Sequence, residues 1–311
     1  MVLDRFPNVD LIQLRSNLGF PGGVNAGLAR VENPAIFLLN SDVYLLNGAA
    51  GKLCAQLFSS EDIGLVGPAQ FSLNGRQLLT FHTDHTLKSE FLETFLFMDV
   101  WRYRIFGERI ASAIQDPREV HWLSGSALML KSEMIAEIGG MDANVFMYGE
   151  EYDLQRRGRD SGWRMIYAPH AKVIHEKSVS ADAYFSHRRL AEVTVAQLYF
   201  SAKHSGKKVL FIIVPLRVLR STFRLLLGLV IYLEPIRKFG GLAISGGRAA
   251  PPHARLKSPP QFSDRFLFDS KRASEHVKEH IEVIKQLFSK STYNQIRSKL
   301  GKANKPDQSP S

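Results

Sequence analysis

The sequence predicts an α/β architecture: a mostly parallel sheet covered by helices, followed by a basic helical extension. Three observations carry this. Strand-length apolar runs alternate with helical segments between residues 9 and 68. One of those runs, AIFLL at residues 35–39, is apolar throughout, as a strand buried on both faces must be. Beyond residue 186 the pattern changes to long helices, where the positive charge of the chain is concentrated.

Taken in order, residues 9–14 (VDLIQL) read as a short strand. A polar, glycine-rich turn follows at 17–23 and a helix at 24–30. The AIFLL strand ends at Asn40-Ser41-Asp42, a helix is expected over 48–59, and a strand over 63–68. Strand, helix, strand, helix, strand is the signature of a largely parallel sheet. The stretch 71–118 is less regular, with a helix expected around 89–106. After it come a strand at 121–131, a helix at 132–138, a turn at Gly139-Gly140, a helix at 150–160, and strands at 164–167 and 171–175. The expected organisation is a catalytic α/β domain over residues 1–185, a helical basic region over 186–300, and a disordered tail over 301–311.

Composition narrows the function classes. At 311 residues, 45% apolar and 23% charged, the chain can bury a sizeable core. Its one cysteine, Cys54, excludes an internal disulfide framework and any multi-cysteine zinc site, and reads as a small buried residue. The opening MVLDRFPNVD places no basic segment before an apolar run, so no secretory leader is expected and the cytoplasm is the default compartment. The net charge of +10 is uneven. Residues 1–200 hold 19 Lys and Arg against 23 Asp and Glu, whereas residues 201–258 hold eleven against Glu234 alone. A mildly acidic body with a basic appendage argues against a nucleic-acid binder. Within the appendage, residues 209–233 are very apolar but interrupted by Pro215, Arg217, Arg220 and Arg224, leaving no stretch near the ~20 residues that span a bilayer. The three arginines recur at helical spacing, which suits either a helix lying in a membrane interface or an ordinary amphipathic helix packed on the body.

Three motifs can carry chemistry. Asn40-Ser41-Asp42 ends a buried strand, where open sheets bind ligands, and a carboxylate there suits Mg²⁺ or Mn²⁺; the same residues also end strands as turn formers. Tyr148-Gly149-Glu150-Glu151-Tyr152-Asp153 sets three carboxylates at a helix start. Adjacent carboxylates raise one another's pKa and favour general-base work, while acids in a first turn also complement the helix dipole. The third is a short strand ending in His175, open between a structural and a ligand role. His82, His85 and His121 receive no role.

The order of NLGFPGGVNAGL (17–28), FLLNSDV (37–43) and the run from WLSGS to KVIH (122–175) resembles the family 2 glycosyltransferases. The likeness is greatest to the rhamnosyltransferase-like branch that builds bacterial surface polysaccharides, and covers about residues 17–180. It implies a GT-A-like fold and an inverting, metal-dependent transfer of a sugar, rhamnose in that branch, from a UDP- or dTDP-sugar to a lipid-linked or glycan acceptor. Asp42 then stands at the last acid of a D-x-D-like motif, binding Mg²⁺ or Mn²⁺ with His175. Asn17, Gly22, Gly23, Asn25, Asn40 and Asp42 approach the donor. Glu151 takes the place of the general base, with Glu150 as its substitute because the pair here is Glu-Glu. Trp122, Gly125, Ser126 and Asp153 surround the acceptor or sugar pocket, and Asp153 and Arg157 support the helix. The implied location is peripheral, on the cytoplasmic face of the membrane, held by the basic C-terminal helices. Relatives open with a strand, helix and strand that do not precede Met1, so the donor-binding half is expected to be incomplete. The alternative is an incompetent remnant that only binds a partner, membrane or sugar.

Overall fold

A computed structural model describes residues 2–176, 189–232 and 270–303. Two compact units are present. The first takes in residues 1–84, 108–179 and 299–311, the second residues 85–107 and 180–298.

The first unit is α/β. In chain order it contains α1 (Val2–Arg5), α2 (Gly19–Leu28), β1 (Ala35–Leu39), β2 (Val43–Leu45), α3 (Ala49–Leu57), β3 (Ile63–Phe71), β4 (Gln77–Leu78) and β5 (Phe81–His82). The chain then leaves for α4 (Leu87–Phe95) of the second unit and a π-helical turn, Val100–Ile105. It returns through α5 (Gly107–Ser112), β6 (Arg118–Glu119), β7 (Trp122–Leu123), β8 (Ala127–Lys131), α6 (Ser132–Ile138), α7 (Glu150–Asp160) and β9 (Arg164–His175).

Helices cover a central sheet of order β1-β8-β3-β9-β2, with β4 beside β3 and β6 beside β9; β5 and β7 form a separate ribbon. The α/β class holds, but the sheet is mixed rather than mostly parallel: β3–β9 is the one parallel pairing among the described residues. The reason is β8. It runs antiparallel to both β1 and β3 and separates them. Strands β1, β3 and β9 therefore share one direction, as the β1–α3–β3 alternation requires, without β1 touching β3. Their carboxyl ends, Asn40, Gln70 and His175, all fall at the same edge of the sheet.

Alternation sorts the core onto the two faces. Leu65, Leu128, Leu130 and Tyr167 pack with Met134 and Leu154, from α6 and α7, on one face. Val66, Met129 and Ile166 pack with Leu53 and Leu57 of α3 on the other, with the half-buried Cys54 against them. Gly158 suits this packing, since a Cβ there would lie 2.7 Å from Met165 Cε and the methionine would have to shift.

Several expectations change. Residues 9–14 are irregular and largely exposed: they pair with no described strand, although β1 stands at one end of the sheet, and a short apolar run cannot hold an extended form alone. The glycine segment at 17–23 is the start of α2 rather than a turn before it. Residues 121–131 break at Ser124–Ser126 into β7 and β8, whereas 164–167 and 171–175 are one strand with a bulge where the β3 register jumps between Pro68 and Ala69.

The second unit is helical: α4, then α8 (Arg189–Ser205), α9 (Leu210–Tyr232), α10 (Ser270–Phe288) and the first part of α11 (Lys290–Ala303). The expected helix over 89–106 is interrupted at Phe97, whose φ of 52° ends α4. Thr86 and Ser89 form a reciprocal capping box at its start. The arginine stripe of α9 points inward. Arg217 Nε donates to Glu90 Oε1 at 3.0 Å with both side chains 2% exposed, Arg220 pairs with Glu93, and Arg224 Nη2 lies 2.6 Å from Asp99 Oδ2. These cations answer acids of residues 90–99, so they are no basic face for a membrane. No helix among the described residues is long and apolar enough to cross a membrane. Residues 301–303 of the expected disordered tail are helical, the end of α11; residues 304–311 lie outside the described residues.

Candidate active site

The three co-directional strands end around the predicted motifs. Asp42 follows β1, and the pairing of Val43 with His175 places its carboxylate beside the imidazole, Oδ1 3.4 Å from Nε2. Glu176 N donates to the Asp42 carbonyl at 3.0 Å, which pins the segment. One carboxylate oxygen and one imidazole nitrogen, both partly exposed, make an open donor set. Such a pair could supply two ligands to a divalent cation, while among the described residues no group of three or more His, Cys, Asp or Glu side chains could hold one. Asn40 is tied across the sheet by its N–H, which donates to the Ser126 carbonyl at 2.9 Å. Ser126 is buried, and its hydroxyl donates to Gln70 Oε1 at 2.8 Å. The ends of β1 and β3 and the start of β8 are thereby locked together.

Next to Ser126, Gly125 passes over Glu151: a Cβ there would lie 3.4 Å from Glu151 Cβ and 3.8 Å from its carboxyl carbon. Contact thus runs unbroken from Asp42 through Asn40, Ser126 and Gly125 to Glu151. Glu151 opens α7, whose approach is strained. Tyr148 has φ 78° and Gly149 φ 83°, and for tyrosine the left-handed region is a genuine outlier of the kind that clusters at functional sites. Glu150 is 4% exposed, and its carboxyl is pushed up to about 9, first by burial and second by the neighbouring Glu151 charge. Burial also raises Glu151. One Oε2 of each has no hydrogen-bond partner. Two neighbouring buried carboxyl groups, both raised by burial, can act as an acid/base pair.

An aromatic wall stands beside them. Trp122 stacks on His82 at 3.9 Å, meets Tyr152 edge-on at 5.8 Å, and donates to the Thr83 carbonyl at 2.9 Å. His82 Nε2 lies 2.9 Å from Ser124 Oγ. Predicted Trp122, Gly125 and Ser126 therefore do come together, joined by His82 and Ser124, for which no role is expected from sequence. Gln155 was also missed: it accepts from Leu123 N at 2.8 Å and donates to Leu123 O at 2.7 Å and Glu151 O at 3.0 Å, clamping α7 to β7. Its place four residues after Glu151, on the same helix face, was the available signal. For His82 and Ser124 no spacing signal exists.

Other expectations shift from binding to support. Asp153 is fully buried and salt-bridged to Arg157 at 2.9 Å, and Arg157 in turn donates to the Gly140 carbonyl at 2.7 Å; it is not a pocket wall. Asn25 closes a two-way bond with Met141, donating to its carbonyl and accepting from its N–H at 2.8 Å each, so its amide is occupied in holding the loop after α6. Asn17 Oδ1 accepts from Gly19 N at 3.0 Å, and Phe20 N donates to the Phe146 carbonyl, so the start of α2 braces the loop leading to Glu150. Gly22 lies against Leu18, while Gly23 and Asn40 line an apolar cavity of about 560 Å³ beside β1. Replacing Asn25 by Ala unpairs the Met141 backbone and should cost about 2 kcal/mol, read as a lower denaturation midpoint, with Asn25→Asp losing roughly half as much.

The arrangement thus sets a carboxylate–imidazole pair at the strand ends and a buried carboxyl pair behind a glycine. Residues 2–193, more than half the chain, match the family described as glycosyltransferase like family 2, and the chain belongs to that family of glycosyltransferases. It is similar to N-acetylglucosaminyl-diphospho-decaprenol L-rhamnosyltransferase of Mycobacterium tuberculosis, from strains CDC 1551 / Oshkosh and ATCC 25618 / H37Rv alike. Identity is 26% over 219 residues, covering 66% of this chain and 70% of the relative. Among solved structures it is similar to GalNAc-T7 with UDP, GalNAc and Mn²⁺ (TM-score 0.44, 12% identity, 65% of this chain but 41% of that one). It is also similar to the mannosyltransferase PcManGT of Pyrobaculum calidifontis with GDP-Man and Mn²⁺ (TM-score 0.47, 10% identity, 90% and 71%).

Proposed function

We propose that the chain transfers a sugar, rhamnose being the first candidate, from a UDP- or dTDP-sugar to a lipid-linked or glycan acceptor in cell-surface polysaccharide synthesis, with inversion at the anomeric carbon. The observation that supports the reading is the contact path from Asp42 to Glu151, along which a leaving-group site and a base would lie on neighbouring segments. The curated relative's name supports the choice of sugar and of a lipid-linked acceptor.

In this reading Glu151 accepts the proton of the attacking acceptor hydroxyl, and Glu150, held protonated by burial, keeps a second negative charge out of the site. Gly125 brings the Ser124–Ser126 turn against Glu151, and the partly exposed Trp122 ring, backed by the buried Tyr152, would offer an apolar face to a sugar ring. Asp42 and His175 would hold Mg²⁺ or Mn²⁺, which neutralises the departing diphosphate when bound.

The test is calorimetric titration with UDP and with dTDP, each with and without Mn²⁺, on the native chain and Asp42→Ala. The expected result is Mn²⁺-dependent binding of one nucleotide, lost at least tenfold in the variant. Equal binding by a folded Asp42→Ala chain would overturn the assignment of the leaving-group site.

A further inference from the structure

The helical unit turns its chemistry inside out. The cations of α9 are buried against acids, and its apolar residues are outside. Phe211 is 83% exposed, Leu226 55%, and Ile212, Leu219, Phe223 and Leu227 are all exposed; they recur along one face at helical spacing. The Phe223 ring meets the Phe97 ring at 5.2 Å, so the stripe continues onto the turn that ends α4, where Leu96 and Met98 are exposed as well. So contiguous an apolar surface marks an interaction site on a folded protein.

Charge decides the partner. α9 contains no acid at all, and Glu90, Glu93 and Asp99 are already answered by Arg217, Arg220 and Arg224. Lys207 and Lys208, immediately before α9, are exposed beside Phe211, and Lys88 is exposed in the first turn of α4. An acid-free apolar face edged with lysines complements a bilayer surface of anionic headgroups, where the rings and leucines enter the acyl boundary and the lysines meet phosphate. We propose that this face of α9, continued over Leu96–Met98, docks the protein on anionic lipid. The inference goes beyond the proposed reaction and does not depend on the acceptor being lipid-linked.

The experiment is flotation of the full chain with phosphatidylglycerol-containing vesicles and with pure phosphatidylcholine vesicles, with no donor, metal or acceptor present. The double variant Phe211→Gln/Leu226→Gln and the double variant Lys207→Ala/Lys208→Ala are run alongside, each checked for an unchanged melting temperature. All these side chains are exposed, so folding should be unaffected. The native chain is expected to float with anionic vesicles. The apolar variant should lose at least tenfold in partitioning, and the lysine variant should lose its preference for anionic over neutral lipid, roughly fivefold for each charge. Failure of the native chain to float, or flotation unchanged in the apolar variant, overturns the proposal. A concentration-dependent dimer abolished by the apolar variant, without flotation, would give the face to a second copy of the chain instead.

Discussion

Glu151→Gln should abolish sugar transfer, lowering kcat by roughly 10²–10⁴-fold, the span attributed to a general base, while leaving nucleotide binding at Asp42 intact. The argument rests on the difference between two adjacent carboxyls. Glu150 is almost entirely enclosed and pushed up to about 9, so near neutral pH it holds its proton. Glu151 lies along Gly125, at the segment bonded to the end of β1, and is the carboxyl on the contact path from Asp42. Burial raises it too, so transfer should rise with pH along a limb above the usual carboxylate range, and that limb belongs to the pair.

Glu150→Gln separates the roles. It keeps the shape and the proton-bearing character of the side chain, so activity should persist and the rising limb should remain. The same substitution should stabilise the fold. A carboxyl raised in the folded state lowers stability as pH rises from its ordinary value of 4.5 toward about 9. Removing it should lift the melting temperature by a few degrees at pH 8 and by little at pH 4.5. If Glu150→Gln is the inactive variant and Glu151→Gln the active one, the base is Glu150.

How much of this was legible in the sequence depends on whether the information was local. β1, α3, α6 and α7 stand where periodicity and end signals put them, because an all-apolar run or an amphipathic turn declares itself within a few residues. The meeting of Asp42 with His175 could be expected from the family likeness. The register that produces it, β2 against β9, could not, since a three-residue strand has no pattern of its own. Asn25, expected to approach the donor, and Asp153, expected both at the pocket and as a support of the helix, show a related ambiguity. A short polar side chain in a motif has the same letters whether it faces a ligand or satisfies a buried backbone, and only the partner, Met141 or Arg157, tells them apart. The insertion of β8 between β1 and β3 is non-local in the same sense: alternation fixes strand direction but not strand order. The arginines of α9 were visible as a stripe, yet the acids that take them lie more than 120 residues earlier, so spacing alone pointed the stripe outward.

That pairing carries the second large prediction. Arg217→Met should destabilise the helical unit by about 3–5 kcal/mol near neutral pH, the usual consequence of removing one partner of a buried ion pair. Burial pushes the Glu90 carboxyl up, and the Arg217 guanidinium outweighs it and holds the group below its ordinary value. In the native chain this carboxylate therefore contributes stability that is present above about pH 4.5 and lost as pH falls through the lowered folded value. Without Arg217 only Arg220, 3.5 Å from Glu90 Oε2, and His85 remain to offset burial, so the lowering weakens and the carboxylate contributes less stability above pH 4.5. The destabilisation should thus be largest at pH 7–8 and shrink toward pH 4, measured as the helical denaturation midpoint against pH. Pairing the change with Glu90→Leu removes the stranded charge and should recover most of the loss, since an apolar pair of similar volume can replace a buried ion pair at little cost. Arginines that faced a membrane or solvent would give neither the loss nor the rescue, so the double variant tests the inward orientation of α9 on which its exposed apolar face depends.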